Sequence, residues 1–498
     1  MMKKQITLYN TMTRKKQVFV PIDGKTAKVY SCGPTVYNSP SIGNMRAYIF
    51  TDILKRTIRM AGYDVFDIVN ITDVGHLQSD GDDGEDKIEV SARKNSVTVN
   101  DIVTKYISEF TMDAEKLNII KPKVPYEKTR ATSYIEQMKS HIEELAQNGF
   151  TYETRDGIYF DSSKFPDYYK LSGKRADASG DVEGFRVAIG EKRSKSDFAL
   201  WKFTPETAIQ TWASPLGIKN GDGTPKMGCP GWHIECSAIA RHYLGDTFDI
   251  HTGGVDHINI HHTNEIAQTE SVTKKEMSRF WMHNEFVMVN NTKMSKSLGN
   301  VYTISQLENG ETPSGEKYSP MHFRYLMLGV HYRSIANFTF EALDAAKTSY
   351  ERLVKTMAGH VNEKSTATFN GDNDIELFVD GRKNDFIGAM FDDLNTTKAL
   401  SVVWSVLGAS PDDRLYKTVL WFDDFLGLGL ENAVIEYIKD QENEKNFVAP
   451  NEIIEIANAR LIAKQNKDWG TADELREKAT EMGYAITDTK DGFEIKKL

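Results

Sequence analysis

The chain has 498 residues, 40% hydrophobic and 27% charged, with a formal net charge of −10. That length predicts roughly two to four domains, and the acidic balance excludes wholesale sequence-blind nucleic-acid binding while leaving room for a local basic track. Three cysteines are too few for a disulfide framework and predict a reducing, cytoplasmic setting with thiols free for metal or chemistry; no apolar run suits a signal peptide or a membrane span.

Residues 1–27 read as an entry segment with a short strand at 17–21. Residues 28–72 read strand, helix, strand. Val29-Tyr30-Ser31-Cys32 stops at Gly33-Pro34, apolar residues at Ile42, Met45, Ile49, Ile53 and Ile58 mark a helix over 42–60, and 64–72 is a second strand. Such a βαβ unit makes the strands parallel and puts a ligand at their carboxyl ends, where Cys32 and Thr72 fall. Pro40-Ser41-Ile42-Gly43-Asn44 opens the helix. Its N–H groups suit a phosphate, and the same residues suit an ordinary cap.

The acidic loop 79–86 fits no Ca2+ loop and reads as solvated. Helices are expected at 97–117 and 131–148. Residues 121–202, rich in Tyr, Phe, Gly, Ser and Asp, read as an insertion between two halves of the parallel-sheet domain. Residues 228–236 then enter a helix, with Pro230 in its first turn and Trp232 and Cys236 on one face. A strand at 247–251 leads to Gly253-Gly254-Val255-Asp256, and His261 opens a helix that carries Glu265 on the same face.

A last strand at 286–289 runs into 290–300, where Lys293 and Lys296 sit among hydroxyls. That turn suits a mobile loop closing on polyphosphate, or a solvated basic turn. Residues 320–430 read as helical without strands, clearest at 338–357 and 384–407. Residues 431–449 read as a polar linker. Residues 450–498 read as a small unit with helices at 451–465 and 471–482 and a strand-like end.

Cys32, Cys236, His261 and Glu265 rim one predicted sheet edge. Two thiolates, an imidazole and a carboxylate make a tetrahedral Zn2+ shell. Taken singly, the cysteines also read as small buried hydrophobes, His261 as a helix-surface ring and Glu265 as a solvated charge.

Several motifs then occur in one order. Cys32-Gly33-Pro34-Thr35-Val36-Tyr37, Ile42-Gly43-Asn44, Asn70-Ile71-Thr72-Asp73 and Gly231-Trp232-His233-Ile234-Glu235-Cys236-Ser237 resemble those of cysteinyl-tRNA synthetases. So do Gly253-Gly254, His261-His262-Thr263-Asn264-Glu265 and the class I signature Lys293-Met294-Ser295-Lys296-Ser297. Tyr159-Phe160-Asp161, Leu171-Ser172-Gly173 and Asp197-Phe198-Ala199-Leu200-Trp201-Lys202 resemble the family's insertion. His331-Tyr332-Arg333-Ser334 resembles its helical region, and Lys467-Asp468-Trp469 its anticodon-binding end.

The resemblance implies an α/β fold. A Rossmann-like catalytic domain (1–120 and 206–318) carries an insertion (121–205), followed by an α-helical region (319–435) and a small anticodon-binding unit (448–498). It implies ATP-dependent ligation of L-cysteine to tRNA(Cys) through a cysteinyl-adenylate, with Mg2+ accompanying ATP and one Zn2+ per chain selecting the thiol. By position, Cys32, Cys236, His261 and Glu265 are the Zn2+ ligands, and Thr72 and Trp232 line the cysteine pocket. Ser41, Gly43, Asn44, Gly253, Gly254, Asp256 and Lys296 surround ATP, and Lys293 and Lys296 are the catalytic lysines. Ser41 stands where the family's first signature begins with His, so a neutral hydroxyl replaces a group able to carry charge.

Arg460, Lys464, Lys467 and Arg476 would meet tRNA phosphates, with Trp469 stacking on a base and Asp473 accepting from a base edge. The alternative is a solvated helical face with Trp469 in the unit's core. A monomeric cytoplasmic enzyme without a membrane partner is expected. Two other readings share these motifs: a cysteine ligase acting on an amino-sugar, and a catalytically weakened RNA-binding paralogue. The complete C-terminal unit argues against the first. The lysine loop and all four metal positions argue against the second.

Overall fold

The computed structural model describes residues 5–74, 86–173, 191–364, 369, 371–489 and 492–498. The acidic stretch 79–85 lies outside the described residues; Asp86 caps the helix Lys87–Asn95. Four strands form one parallel sheet: β1 (Thr26–Ser31), β2 (Asp64–Val69), β3 (Phe248–Gly254) and β4 (Ser278–Asn284). Their order is β4-β3-β1-β2. Helix α1 (Ile42–Met60) crosses from β1 to β2 and buries Ile42, Met45, Ile49, Ile53 and Ile58, the stripe that its periodicity predicts. Helices α2 (Trp232–Leu244) and α3 (His261–Thr273) flank β3 in sequence. The parallel sheet expected from the βαβ pattern is therefore present.

Several elements differ from expectation. Strand β4 carries no alternation in Phe280-Trp281-Met282-His283 because all four side chains are buried. The strand expected at 286–289 is Val287–Val289, and it belongs to a separate sheet. There it pairs antiparallel with Thr292–Lys293 and parallel with Ala336–Phe338. The last of these corrects the strand-free reading of 320–430: three residues are too few to show a period, and their partner is remote in sequence. His331 to Ser334 form a turn rather than helix.

Met227–Pro230 is a strand paired with Phe198–Phe203, so Pro230 ends a strand and Gly231 caps α2. The helix expected at 384–407 is two, Asp372–Met390 and Thr396–Leu407. The chain turns at Asp393 and Leu394, with φ of 60° and 56°. There the Asp393 carboxylate accepts from Tyr9 N–H at 2.8 Å, the Tyr332 hydroxyl at 2.7 Å and Arg333 Nε at 2.8 Å, a long-range network that outweighs local helix propensity. The expected linker is helical over Leu430–Lys445, because Leu430, Val434 and Ile438 form a sparse stripe at four-residue spacing.

Between β2 and β3 the chain builds a five-stranded antiparallel sheet. Its order is Thr151–Glu153, Gly157–Phe160, Phe198–Phe203, Met227–Pro230, Trp212–Ala213. The chain divides into two units, 1–353 with 360–430, and 354–359 with 431–498. In the second, helices Asn451–Gln465 and Trp469–Glu481 and the hairpin Tyr484–Thr489/Gly492–Lys497 close around Ile453, Ile456, Ala457, Ala479 and Ile486. Among the described residues no helix is long and apolar enough to cross a membrane.

A buried ionic knot fixes α1 within the first unit. Asp52 accepts from Arg56 Nε at 2.8 Å and from Arg324, whose remaining donors reach Leu117 O at 2.7 Å and Leu426 O at 2.9 Å. Burial raises the Asp52 pKa, but the two guanidinium groups outweigh it and the carboxyl sits below its ordinary range. Arg324→Met leaves the buried Asp52 carboxylate with Arg56 and the Ile120 N–H as its partners and takes the guanidinium from the Leu117 and Leu426 carbonyls, so unfolding free energy should fall by about 3 kcal/mol. Urea denaturation reads this directly, and an unmoved midpoint would contradict it.

Candidate active site and metal centre

The carboxyl ends of β1, β2 and β3 open on a cavity of about 690 Å3. Strand β1 stops at Ser31 and leaves Cys32 on the rim. Gly33 N–H donates to Asn70 Oδ1 at 2.8 Å. Beyond β2, Thr72 N–H donates to Pro34 O at 3.1 Å and Val36 N–H to Thr72 O at 3.2 Å, so the two strand ends continue side by side. The Thr72 hydroxyl donates to Glu235 Oε2 at 2.9 Å. Trp232 begins α2 and lines the cavity, its ring centroid 4.6 Å from that of His261.

Cys236 lies one turn into α2 and Glu265 one turn into α3 after His261. Ligand atoms of Cys32, Cys236, His261 and Glu265 all fall within 4.8 Å of one another. His261 Nε2 is 3.0 Å from Glu265 Oε1, and Cys32 Sγ is 3.8 Å from the same oxygen. Three of the four are buried and Cys32 is half-buried. Outer partners orient them. His251 Nε2 lies 2.8 Å from Glu265 Oε2, and the Nδ1 atoms of His233 and His261 are 2.8 Å apart.

Ligand atoms of Cys32, His251, His262 and Glu265 also lie within 4.8 Å of one another. Cys32, Cys236 and His261 line the cavity, however, and His251 and His262 do not. A substrate-reading metal needs an open side, which the first set has.

Charge within the first set is balanced internally. The Cys236 thiol is drawn down to about 6, chiefly by the Cys32 thiol donating to it and also by His261, against burial. Burial and that same donation push Cys32 well up. Burial opposes charge on His261, but Glu265 and Cys236 outweigh it and carry the ring up to about 10. Burial likewise opposes charge on Glu265, which His251 and His261 hold well below the ordinary carboxylate range. Thiolate and carboxylate thus sit around protons that a divalent cation would displace, and the donor set fits Zn2+.

Another part of the cavity lining is built from backbone. Ser41 caps α1: its Oγ accepts from Asn44 N–H at 3.2 Å, while Asn44 Oδ1 accepts from Ser41 N–H at 3.0 Å. The Ser41 hydroxyl therefore holds the helix start. A Cβ at Gly43 would touch Met294 Cε at 3.5 Å, so the lysine loop lies over that start. At Gly253 a Cβ would come within 2.6 Å of His262, and only glycine lets the backbone pass. Gly254 and the exposed Asp256 follow on the cavity wall. Lys293 lines the same cavity, its Nζ 5.7 Å from the Phe286 ring centroid. Lys296 opens the short turn Lys296–Leu298. Glu265 stands behind the wall, fully buried.

A family model described as the tRNA synthetases class I (C) catalytic domain matches residues 18–348. The cysteine-tRNA ligase 1 of Burkholderia lata is 39% identical over 98% of this chain and 96% of its own length. The chain belongs to the class I cysteinyl-tRNA synthetase family. The cysteine-tRNA ligase of Treponema denticola is 37% identical over 99% of this chain and all of its own. Among solved structures, Mycobacterium tuberculosis methionyl-tRNA synthetase with methionyl-adenylate matches with a TM-score of 0.53 at 16% identity, covering 82% of this chain and 91% of that one. The Agrobacterium radiobacter K84 LeuRS-tRNA-LeuAMS complex matches with 0.56 at 13% identity, covering 82% and 84%. Both share the class I fold.

In this family member the structure also gathers residues that the sequence reading passed over. His233, His251, His262 and His283 lie around the candidate set Cys32, Cys236, His261 and Glu265, with His262 Nδ1 2.8 Å from His283 Nε2. The available signal was density: seven of the chain's twelve histidines fall between residues 233 and 283. In the second unit, Arg460 is buried and bound to Asp488 at 2.7 and 3.2 Å, with Lys464 on the same carboxylate at 2.6 Å. Arg460 thus ties its helix to the terminal hairpin instead of reaching for phosphate. Arg476 pairs with Asp473 at 3.3 Å. Lys467 is exposed, and Trp469 is 60% exposed at the start of its helix, outside the unit's core.

Proposed function

We propose that the chain ligates L-cysteine to tRNA(Cys) at the expense of ATP, through a cysteinyl-adenylate, as a monomeric cytoplasmic enzyme. One observation carries this reading: a single cavity is lined by sulfur and imidazole donors together with a helix start, two glycines and a lysine. Membership of the cysteinyl-tRNA synthetase family supports it.

Cysteine lies with its thiol toward Cys32, Cys236 and His261, flanked by Thr72 and Trp232. Cys32, Cys236, His261 and Glu265 would hold one Zn2+, which when bound supplies a Lewis-acid position that a thiolate fills far better than the hydroxyl of serine. An apolar pocket would separate these near-isosteres poorly, so this donor set removes the need for a separate editing site. The cysteine carboxylate oxygen attacks the α-phosphorus of ATP; that bond forms as the bond to the pyrophosphate oxygen breaks. The N–H groups opening α1, together with Lys293 and Lys296, stabilise charge on the phosphate oxygens of ATP, which would be taken as its Mg2+ complex. Gly253 and Gly254 let the nucleotide approach the backbone beside Asp256. The terminal ribose hydroxyl of tRNA then attacks the adenylate carbonyl, forming the ester and releasing AMP, with its proton passing to solvent. The chain contributes positioning and electrostatics more than covalent chemistry. In the second unit, Trp469 offers a ring for base stacking beside Lys467.

Incubation with ATP, labelled cysteine and a tRNA(Cys) transcript should yield cysteinyl-tRNA. Pyrophosphate exchange without tRNA charging would favour the amino-sugar ligase instead. Absence of exchange would leave only a binding protein.

A further inference from the structure

We propose that Arg46 is a positioning residue that sets Lys293 against the phosphate end of the cavity, acting through the backbone and ring of Phe286. This rests on the adenylating reading of that cavity. Arg46 lies in the second turn of α1 and is 3% exposed. Its guanidinium donates to four backbone carbonyls: Nη1 to Glu285 O at 2.8 Å and Phe286 O at 2.6 Å, Nη2 to His331 O at 3.2 Å and Ser334 O at 2.6 Å. A buried cation is costly, and burial draws this guanidinium down to about 10. What it gains is geometric, since a planar fork of donors can satisfy several carbonyls at once.

The carbonyls it holds belong to one small device. Glu285 and Phe286 lead into Val287–Val289, and 331–334 leads toward the parallel partner Ala336–Phe338. Arg46 therefore pins the entry ends of both strands to α1. Val287–Val289 turns through Asn290 and Asn291, both left-handed with φ of 49° and 59°, into Thr292–Lys293. Such a two-residue turn holds its strands in fixed register. Phe286, pinned by its own carbonyl, places its ring under the Lys293 ammonium. Met294, next in sequence, lies 3.5 Å from where a Gly43 Cβ would stand, so the same helix also carries the surface on which the loop rests. One helix thus supplies the phosphate-facing N–H groups and, four residues beyond Ile42, the anchor for the lysine that opposes them.

The test is a double-mutant cycle in ATP-pyrophosphate exchange on the full chain, with Arg46→Lys, Lys293→Ala and the double variant. Arg46→Lys keeps the charge but loses the fork. It should lower kcat about tenfold and leave the KM for cysteine within about twofold. In the Lys293→Ala background it should cost no more than about twofold further, because its effect passes through that lysine. Phe286→Leu, at a half-exposed ring that folding tolerates, should repeat both results. Independent multiplication of the Arg46→Lys and Lys293→Ala effects would overturn the inference, as would a rise in cysteine KM with kcat unchanged. Absence of exchange by the unaltered protein would overturn the reading beneath it, and the inference with it.

Discussion

Cys236→Ser should leave the protein folded, strip it of its metal and collapse its preference for cysteine over serine. Cys236 is the thiol drawn down, chiefly by the Cys32 thiol donating to it and also by His261, so losing its proton to ligate costs less than for an ordinary thiol. A serine hydroxyl keeps its proton there and offers a harder, weaker donor. Loss of an outer partner costs a metal site roughly 10–100-fold, and loss of a direct ligand should exceed the upper figure. If the donor set is what separates these two side chains of nearly equal size, as proposed, the ratio of exchange with cysteine to exchange with serine should fall by at least about 100-fold. Metal content and the two exchange rates are measured on one preparation. An unchanged ratio would remove the metal from selection.

Gly33→Ala should be the most damaging single-methyl change near the site. The added Cβ would stand 1.4 Å from Asn70 O and 2.5 Å from its carbonyl carbon, both backbone atoms. No rotamer relieves that clash; the continuations of β1 and β2 must part. Asn70 Oδ1 accepts from Gly33 N–H and lies 3.8 Å from Cys236 Sγ, so the same movement separates Cys32 from Cys236. The expected loss of unfolding free energy is about 3 kcal/mol, at the upper end of overpacking effects, with weaker zinc retention alongside. Urea denaturation with a zinc titration measures both. A variant matching the parent in midpoint and zinc affinity would show that the strand ends have slack that the close approach denies.

How legible was this in the sequence? The βαβ unit could be read because its signals are local: the short run Val29-Tyr30-Ser31-Cys32, a 3.6-residue stripe along α1, breakers at Gly33-Pro34. Strand β4 and Ala336–Phe338 could not, since the first is buried on both faces and the second is three residues long with a distant partner. The four candidate metal positions are scattered from 32 to 265; the predicted sheet edge brings them together as a candidate shell, spacing alone does not require it, and the family resemblance singles them out, while each taken singly reads as ordinary. Ser41 reads as a lost charge in sequence, and the structure adds that its hydroxyl and Asn44 form a capping box. Arg46 leaves no trace in a residue pattern because its partners are carbonyls, which every residue carries. Arg460 was misread for the converse reason: a cation on a short helical unit suggests phosphate until Asp488 is found against it.

The central claim is that residues 32, 236, 261 and 265 share one ion. X-ray absorption at the zinc edge of the purified protein tests it most directly. The account predicts one zinc per chain with two sulfur and two nitrogen or oxygen neighbours, from Cys32, Cys236, His261 and Glu265. One sulfur with two imidazoles, the signature of Cys32, His251, His262 and Glu265, would contradict it, and so would a protein that purifies without zinc.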